Sequence, residues 1–223
     1  MPIGEGRGQG VQSRSGSMET IYVIDDDASV RRSVARILRH SGYAERMFDS
    51  AESFLENLPD AFTDPACAVV DLQMPGLNGL ELQRRINESP TACPVVFISG
   101  NGDIPASVQA MRQGAVTFLT KPFDEADLLA AVGEGLAKHR AALAVESLRR
   151  SVRERICLLT GRENEVMARV ITGALNKQIA GQLGIAERTV KVHRARVMEK
   201  MGVVSVAELV RLCDAAGFRA TQG

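Results

Sequence analysis

The sequence predicts an α/β domain built on a five-stranded, doubly wound parallel sheet, followed by a second, smaller all-α domain. Two patterns predict this. In the first part of the chain, five short apolar runs alternate with amphipathic helical patterns, which is typical of a parallel sheet covered by helices on both faces. In the last part, helical patterns follow one another without an intervening strand. A length of 223 residues suffices for two domains of roughly 100 residues each.

The elements of the first domain follow from these patterns in chain order. The predicted strands cover residues 20–24, 44–48, 67–72, 94–99 and 116–120. The predicted helices cover residues 29–41, 50–58, 78–88, 104–113 and 124–136. In sheets of this type, ligands bind outside the carboxyl ends of the strands, so the residues that follow each strand are the candidates for a site.

The second domain has helical patterns over residues 162–173, 176–183, 187–201 and 205–216. Thr160 and Glu163 have the spacing of a capping box at the start of the first of these helices. Gly173 and Gly184 follow the first two helices, as C-terminal cap glycines do.

Between the two domains, residues 134–158 carry apolar side chains at spacings that fit one helical stripe. Two interpretations stay open here. The segment is either a solvated linker helix or a helix that continues the last helix of the sheet domain and packs against another element.

These patterns divide the chain into five segments. We expect a disordered extension over 1–17, the α/β domain over 18–136, a helical linker over 137–157, the all-α domain over 158–216 and a flexible tail over 217–223.

The net charge is zero, but the charges are unevenly distributed. Residues 18–136 contain 18 acidic and 9 basic residues, residues 137–160 contain 2 and 6, and residues 161–223 contain 6 and 10. An acidic first part joined to a basic second part suggests two different partners, with nucleic acid as the second.

The sequence shows no membrane or secretion signal. No run approaches ~18 consecutive apolar residues, and the first twenty residues lack the apolar core of a signal peptide. The cysteines form no CxxC pair, which argues against a zinc ribbon and a disulfide scaffold; they are Cys67, Cys93, Cys157 and Cys213. We therefore expect a protein of the reducing cytoplasm with no membrane partner.

Acidic residues follow two strands that are neighbours in a doubly wound sheet. Asp25, Asp26 and Asp27 come directly after the first strand, and Asp71 lies near the end of the third. Crowded carboxylates repel one another, and a hard divalent cation such as Mg²⁺ relieves that repulsion while keeping waters for exchange with a phosphoryl oxygen. Asp27, just before a helix, is also placed to cap it.

The fourth and fifth predicted strands end in groups that can bind a phosphoryl group. Ser99 ends the fourth strand with a hydroxyl, and Lys121 follows the fifth with a positive charge suited to a phosphoryl group. Together with the carboxylates, these groups predict a phosphoryl-transfer site at the carboxyl edge of the sheet.

The helix over residues 187–201 has one apolar and one basic face. At 100° per residue, Val190, Val197 and Met201 fall on one side, where they are expected to pack into the domain. The outward side chains are those of Arg188, Lys191, Val192, Ala195 and Glu199, with Arg196 on the other flank. Basic residues near the start of a helix fit a recognition helix whose first turns reach base edges in the major groove.

Several motifs are specific enough to identify a family. Residues 20–136 resemble a response-regulator receiver domain, which has a flavodoxin-like fold. The resemblance lies in the motifs VIDDD, VVDLQMPGLNGLEL, VVFISGNGD and TFLTKPF. Residues 158–216 resemble a LuxR-type helix-turn-helix domain in the motifs LTGRENEVMARVITG and NKQIAGQLGIAERTVKVHRARVMEKMGV. The order of the two resembles the NarL/FixJ class of two-component response regulators.

The resemblance implies a role for each matching residue of the receiver. The resemblance implies that Asp71 is the phosphoacceptor. The implied Mg²⁺ ligands are the carboxylates of Asp25, Asp26 and Asp71 and the main-chain carbonyl of Gln73. The resemblance also implies that Ser99 and Lys121 contact the phosphoryl oxygens. Phe118 occupies the position of the family's switch aromatic residue. The peptide bond between Lys121 and Pro122 is expected to be cis. Gln73 and Asn101 occupy positions that tune phosphate lifetime in this family.

For the second domain, the resemblance implies base contacts by Lys191 and Val192 and a phosphate contact by Lys177. Many relatives carry a lysine at the position of Ala195, so this protein is expected to make one contact fewer there. Arg188 and Arg196 complete the predicted DNA-binding set.

We therefore interpret the chain as a transcription factor that is not an enzyme. It is expected to be phosphorylated by a partner histidine kinase, to form homodimers on phosphorylation, to bind promoter DNA and to act with RNA polymerase, most naturally as an activator.

Two alternatives stay open. One is a phosphatase of the haloacid-dehalogenase type, which needs a proton-shuttling Asp where this sequence has Gln73. The other is a receiver whose second domain binds protein instead of DNA.

Overall fold

A computed structural model describes residues 19–59, 62–89, 91–100 and 104–218. The chain divides into two compact units. The first contains residues up to Ile86 and Cys93–Leu136, and the second contains Asn87–Ala92 and the chain from Ala137 onward. Each unit is described by itself below. The expected disordered extension over 1–17 and Asn101 lie outside the described residues.

In the first unit, strands and helices alternate as the sequence predicts. The strands are β1 (Thr20–Ile24), β2 (Ala44–Phe48), β3 (Ala66–Asp71), β4 (Val95–Ser99) and β5 (Thr117–Thr120). The helices are α1 (Ala28–His40), α2 (Ala51–Glu56), α3 (Gly79–Ile86) and α4 (Ile104–Arg112), followed by the start of α5 (Glu125–Cys157).

The five strands form one parallel sheet in the order β2-β1-β3-β4-β5. The predicted doubly wound sheet is therefore confirmed, and β1 and β3 are neighbours as expected. Because all strands run in the same direction, their carboxyl ends lie at one edge. The register pairs Asp71 of β3 with Ile98 of β4, so the last residues of these strands are close together.

Both faces of the sheet are buried under helices. On one face, Ile21 and Val23 of β1 lie in a core with Val34 of α1 and Leu128 of α5. On the other face, the ring of Tyr22 packs edge-on against Phe54 of α2, with centroids 5.2 Å apart. This alternation of side chains along a strand explains why the core runs are apolar throughout.

The second unit contains the rest of α5 and four shorter helices. These are α6 (Gly161–Ile171), α7 (Asn176–Leu183), α8 (Glu187–Met201) and α9 (Val206–Ala215). The capping box of Thr160 and Glu163 is confirmed at the start of α6. Gly173 and Gly184 have the positive φ angles of 85° and 64° that let the chain turn after α6 and α7.

The end of α5 takes part in the core of the second unit. Val152 is 1% exposed and lies in a cluster with Val166, Ile179 and Val190, while Leu148 and Ile156 pack against it. Of the two interpretations of residues 134–158, the structure shows the helix that continues the last helix of the sheet domain and packs. The segment expected as a linker over 137–157 thus contributes its last three turns to a core.

The chain stays packed slightly beyond the boundary expected at residue 216. Phe218 contacts the core of the second unit, and its N–H donates to the carbonyl of Cys213 at 2.8 Å. Residues 219–223 of the expected tail lie outside the described residues. Among the described helices, none combines the length and apolar character needed to cross a bilayer.

Candidate functional site

Asp25, Asp71 and Lys121 converge at the carboxyl edge of the sheet. Asp25 follows β1 and is 0% exposed, Asp71 is the last residue of β3 and is 6% exposed, and Lys121 follows β5. The Lys121 Nζ lies 2.7 Å from Asp25 Oδ2 and 3.1 Å from Asp71 Oδ1. One ammonium therefore bridges two nearly buried carboxylates that are 46 residues apart in sequence.

Asp26 completes a group of three carboxylates. One oxygen from each of Asp25, Asp26 and Asp71 can be chosen so that all three lie within 4.8 Å of one another. Asp26 is exposed, and it lines an open cavity of about 540 Å³ together with Gln73, Met74 and Asn78. Hard carboxylate oxygens beside an open cavity fit Mg²⁺, which keeps part of its water shell when bound to protein.

The pKa values of the bridged pair shift for identifiable reasons. Burial raises the pKa of Asp71, and the nearby charge and hydrogen bond of Lys121 only partly oppose this rise. For Lys121, burial alone lowers the pKa, but the hydrogen bond that its ammonium donates to Asp25 and the negative charge of Asp71 outweigh burial, so the pKa is raised. The ammonium therefore remains charged beside the carboxylates.

The loops next to the cluster are held by hydrogen bonds within the first unit. The Asp25 side chain accepts from the N–H of Asp27 at 2.8 Å, which shapes the turn after β1. Asp27 itself caps α1 by accepting from the N–H of Ser29 at 2.7 Å, as predicted. These two bonds hold the turn after β1 in a defined conformation.

Ser99 and Phe118 occupy the strand positions expected of them. Ser99 is the last residue of β4 and is fully buried, next to the strand that carries Asp71. Phe118 lies in β5 opposite Phe97 and is half-buried. The bond between Lys121 and Pro122 is cis, as expected.

Two contacts at this edge have no signal in the sequence. Glu52 of α2 accepts from the N–H of Leu77 at 2.8 Å and so anchors the loop after β3. Arg31 of α1 donates to the carbonyl of Asp25. Glu52 lies 25 residues from its partner, a separation that no local spacing rule detects.

A second candidate site lies on the surface of the second unit. Val190, Val197 and Met201 of α8 are at most 1% exposed, so the predicted packing face is confirmed. The predicted DNA-binding residues are all exposed, and they are Lys177, Arg188, Lys191, Val192, Ala195 and Arg196. The helices α7 and α8 are separated by three residues, 184–186, which is the arrangement of a helix-turn-helix.

Arg194 of α8 lies outside this set and has a structural contact. The guanidinium of Arg194 donates to Asn176 Oδ1 of α7 at 2.6 Å and joins the two helices. His193, the residue before Arg194, is half-buried.

Comparison with known families matches both units. Residues 21–133 match the response regulator receiver domain, and residues 157–213 match the luxR family of bacterial regulatory proteins. The first match covers the strands that carry the carboxylate cluster, and the second covers α7 and α8.

Similar proteins align with this chain across both units. The transcriptional regulatory protein FixJ of Bradyrhizobium diazoefficiens is 41% identical over 198 residues, covering 89% of this chain and 96% of that protein. The response regulator protein TodT of Pseudomonas putida is 39% identical over 212 residues, with 92% and 89% covered.

Two solved structures of response regulators are similar to this chain over most of its length. The response regulator StyR has a TM-score of 0.77 and 43% identity, covering 88% of this chain and 98% of that chain. Full-length FixJ from B. japonicum has a TM-score of 0.52 and 41% identity, with 89% and 97% covered. The chain therefore belongs to the NarL/FixJ class of two-component response regulators and is a transcription regulator with a receiver domain and a LuxR-type DNA-binding domain.

Proposed function

We propose that a partner histidine kinase phosphorylates Asp71 and that the phosphorylated protein dimerises and binds promoter DNA to activate transcription with RNA polymerase in the cytoplasm. One observation carries this proposal. Asp25, Asp26, Asp71 and Lys121 meet at one edge of the receiver sheet, in a chain that continues into a LuxR-type helix-turn-helix.

In the proposed reaction, a carboxylate oxygen of Asp71 attacks the phosphorus of a phosphohistidine. The new O–P bond forms as the P–N bond breaks, and the imidazole leaves with the electron pair. Asp25, Asp26, Asp71 and the main-chain carbonyl of Gln73 are the groups that would hold Mg²⁺, which supplies charge neutralisation at the phosphoryl oxygens when bound.

Lys121 and Ser99 are proposed to hold the phosphoryl group after transfer. Lys121 already lies 3.1 Å from Asp71 Oδ1, and Ser99 ends the neighbouring strand. A phosphoryl group adds about −1.5 to −2 charges. Shifting a two-state conformational equilibrium from 1:99 to 99:1 requires roughly 5.5 kcal/mol of differential interaction. Two charge-assisted hydrogen bonds to the phosphoryl group, at ~1.5–3 kcal/mol each, approach that value. Inward rotation of Phe118 is the proposed readout of this change.

The exposed face of α4 supports the proposed dimer contact. Ile104, Val108 and Met111 are 73%, 45% and 47% exposed. Their spacing of four and three residues places them on one side of the helix. Large apolar side chains grouped on an exposed helix face are typical of a surface that binds another protein. We propose that phosphorylation rearranges the face formed by α4 and the start of α5 so that it pairs with a second copy.

For DNA binding, we propose that the N-terminal half of α8 reads bases. Lys191 and Val192 contact base edges, and Lys177 of α7 contacts phosphate. Arg188, Ala195 and Arg196 line the same interface. The exposure of all six residues and the burial of the opposite side of α8 support this assignment.

We also infer that the protein is not an enzyme acting on free phosphate esters. A haloacid-dehalogenase-type phosphatase needs an acid two residues after the nucleophile, and Gln73 cannot donate and recover a proton there. A protein-binding output instead of a DNA-binding one is disfavoured by the match to the luxR family.

The central test replaces Asp71 with Asn. We expect Asp71→Asn to abolish acid-labile labelling of the full chain by acetyl phosphate and Mg²⁺, because an amide is a poor nucleophile. Asp64→Asn, at an exposed acidic residue of the same unit, is the matched control and should label normally. Far-ultraviolet circular dichroism checks that both variants fold. Full labelling of Asp71→Asn would remove Asp71 as the phosphoacceptor.

A further inference from the structure

The C-terminal end of α8 is held by a residue of α5. Arg155, in the last turn of α5, donates from Nη1 to the main-chain carbonyl of Met201 at 2.7 Å. Arg155 is half-buried, and Met201 is 0% exposed. The two residues are 46 positions apart in sequence, so this bond joins α5 to α8 directly.

The bond satisfies a specific need of the helix end. The last carbonyls of an α-helix have no partner within the helix, and a cation near them also interacts well with the helix dipole. The N–H of Gly202 donates to the carbonyls of Glu199 and Met198, and Arg155 takes the carbonyl of Met201. The arginine therefore completes the cap of α8.

The main chain at this point also leaves room for the guanidinium. Gly202 has a φ of 65°, a left-handed conformation that favours glycine. A Cβ atom at Gly202 would lie 3.2 Å from Arg155 Nη1, which is tighter than ordinary packing. Both the conformation and the space at residue 202 thus suit the bound arginine.

A second cation, Lys200, also joins the last turn of α8 to its neighbours. Lys200 of α8 donates to the carbonyl of Leu158 at 3.0 Å and to Glu163 Oε2 at 2.6 Å. The end of α8 is therefore connected to the corner between α5 and α6 through Arg155 and Lys200. We call these two residues with Met201 and Leu158 the α8 clamp.

We propose that Arg155 is a positioning residue for sequence-specific DNA binding, because it fixes the angle at which α8 leaves the domain core. This proposal rests on the proposed function of α8 as the reading helix. Arg155 acts through the main chain of α8 and does not itself contact bases.

The geometry of a helix explains why such a distant residue matters. Lys191 lies ten residues before Met201, which is about 15 Å along the axis, so a tilt of about 5° at the clamp moves it by more than about 1 Å. Hydrogen bonds to base edges do not tolerate displacements of that size. Contacts to the phosphate backbone depend mainly on charge and are less sensitive to the same tilt.

The test compares two DNA probes with the full chain in the presence of beryllofluoride. One probe is a duplex selected by the unmodified protein from a random-sequence library, and the other is a scrambled duplex of equal length. We expect Arg155→Gln to weaken binding to the selected duplex about tenfold, the size of one mismatched base pair, and binding to the scrambled duplex less than about twofold. Arg155→Lys should give an intermediate loss, because lysine keeps the charge without the planar fork.

Arg150→Gln is the matched control, since Arg150 is exposed on the same helix and the variant loses the same charge. It should change the ratio of the two affinities less than about twofold. If Arg155→Gln loses its helical circular dichroism signal, Arg155→Lys decides the test in its place.

Equal losses on both duplexes would overturn the proposal. If the slope of log affinity against log salt concentration (the salt slope) is unchanged, equal losses would indicate a general loss of folded protein. With a shallower slope, they would indicate a phosphate contact by Arg155. Lys191→Ala, measured in parallel, separates this proposal from the function of α8. If Lys191→Ala lowers the affinity ratio and Arg155→Gln does not, only the clamp fails; if Lys191→Ala leaves the ratio unchanged, the reading helix itself is misassigned.

Discussion

The two candidate sites of this protein use charged residues in opposite ways. At the edge of the sheet, Asp25 and Asp71 are almost fully buried and share the ammonium of Lys121. On α8, Arg188 and Lys191 are exposed, and Lys191 Nζ lies 3.8 Å from Oε1 of Glu187.

This difference determines how each site responds to change. Buried charges that share partners are coupled, so removing one alters the energy of the others. Exposed charges spaced along a helix act nearly independently and are screened by salt. The sheet edge is therefore suited to switching, and the helix surface is suited to graded binding of a polyanion.

The largest expected effect concerns how a change at the buried sheet edge reaches the surface of the same unit. We expect the unmodified chain to form dimers when treated with beryllofluoride, and Val108→Glu to weaken dimerisation by about a hundredfold or more, because an unpaired charge buried at an interface costs several kcal/mol. Sedimentation with and without beryllofluoride measures this. The result would show whether a change at the buried site is read out through α4.

Met47→Glu provides the control for this variant. Met47 lies on β2 of the same unit and is 46% exposed, against 45% for Val108. It should dimerise like the unmodified chain. Normal dimerisation of Val108→Glu would exclude the apolar face of α4 as the contact.

The second prediction tests whether the surface of α8 distinguishes base contacts from phosphate contacts. Lys191→Ala should cost about 1–3 kcal/mol on a selected duplex and relax the sequence preference. Lys177→Ala should weaken binding to all sequences alike and reduce the salt slope by about 1. Affinity titrations over a range of salt concentrations separate the two. Equal losses on selected and random DNA for Lys191→Ala would make it a phosphate contact.

The third prediction tests the coupling of charges at the sheet edge. Lys121→Met leaves Asp25 and Asp71 without their shared cation, and we expect it to lower the free energy of unfolding of the first unit by about 1–3 kcal/mol. This range lies below that of fully buried pairs because 22% of the lysine side chain is exposed. Added Mg²⁺ should stabilise the variant more than the unmodified chain.

Tyrosine fluorescence during urea unfolding follows this unit, since both tyrosines of the chain, Tyr22 and Tyr43, belong to it. Arg36→Met, an exposed arginine of α1, removes the same charge and should change stability by less than about 0.5 kcal/mol. A similar result for the two variants would mean that the edge is no more coupled than the surface.

The smallest expected effect concerns a charge with a structural role in the second unit. The hydrogen bond from Lys200 and that from the N–H of Thr160 lower the pKa of Glu163 to about 2. Because the folded-state pKa is depressed, the stabilisation is present above the ordinary value of 4.5 and is lost as the pH falls toward 2. The melting temperature of the unmodified chain should exceed that of Glu163→Gln at pH 7, and the gap should close between pH 4.5 and 2.

Glu165→Gln is the control for this experiment. Glu165 pairs with Arg162 at 2.7 Å, but both side chains are about half exposed, so its loss should matter little at any pH. A gap between the unmodified chain and Glu163→Gln that does not change with pH would contradict the assigned role of the Lys200 ion pair.

Much of this architecture could be read from the sequence because its signals are local. Alternation of apolar runs and helical patterns predicted the order and approximate bounds of the strands, and β1 and β2 match residue for residue. The position of Asp71 at a strand end and the packing side of α8 follow from the same periodicities. The family motifs added the expected roles of Ser99, Phe118 and Lys121, which remain proposals.

Contacts between distant segments could be decided only by the tertiary structure. Spacing placed Asp71 and Lys121 at one edge of the sheet, but the sharing of one ammonium between Asp71 and Asp25 depends on how the loops after three strands fold. The periodicity of residues 134–158 fitted both a solvated and a packed helix, since the pattern of one helix does not identify its neighbour. The burial of Val152 and the bond from Arg155 to Met201 resolved that choice, because each depends on a partner that lies far away in sequence.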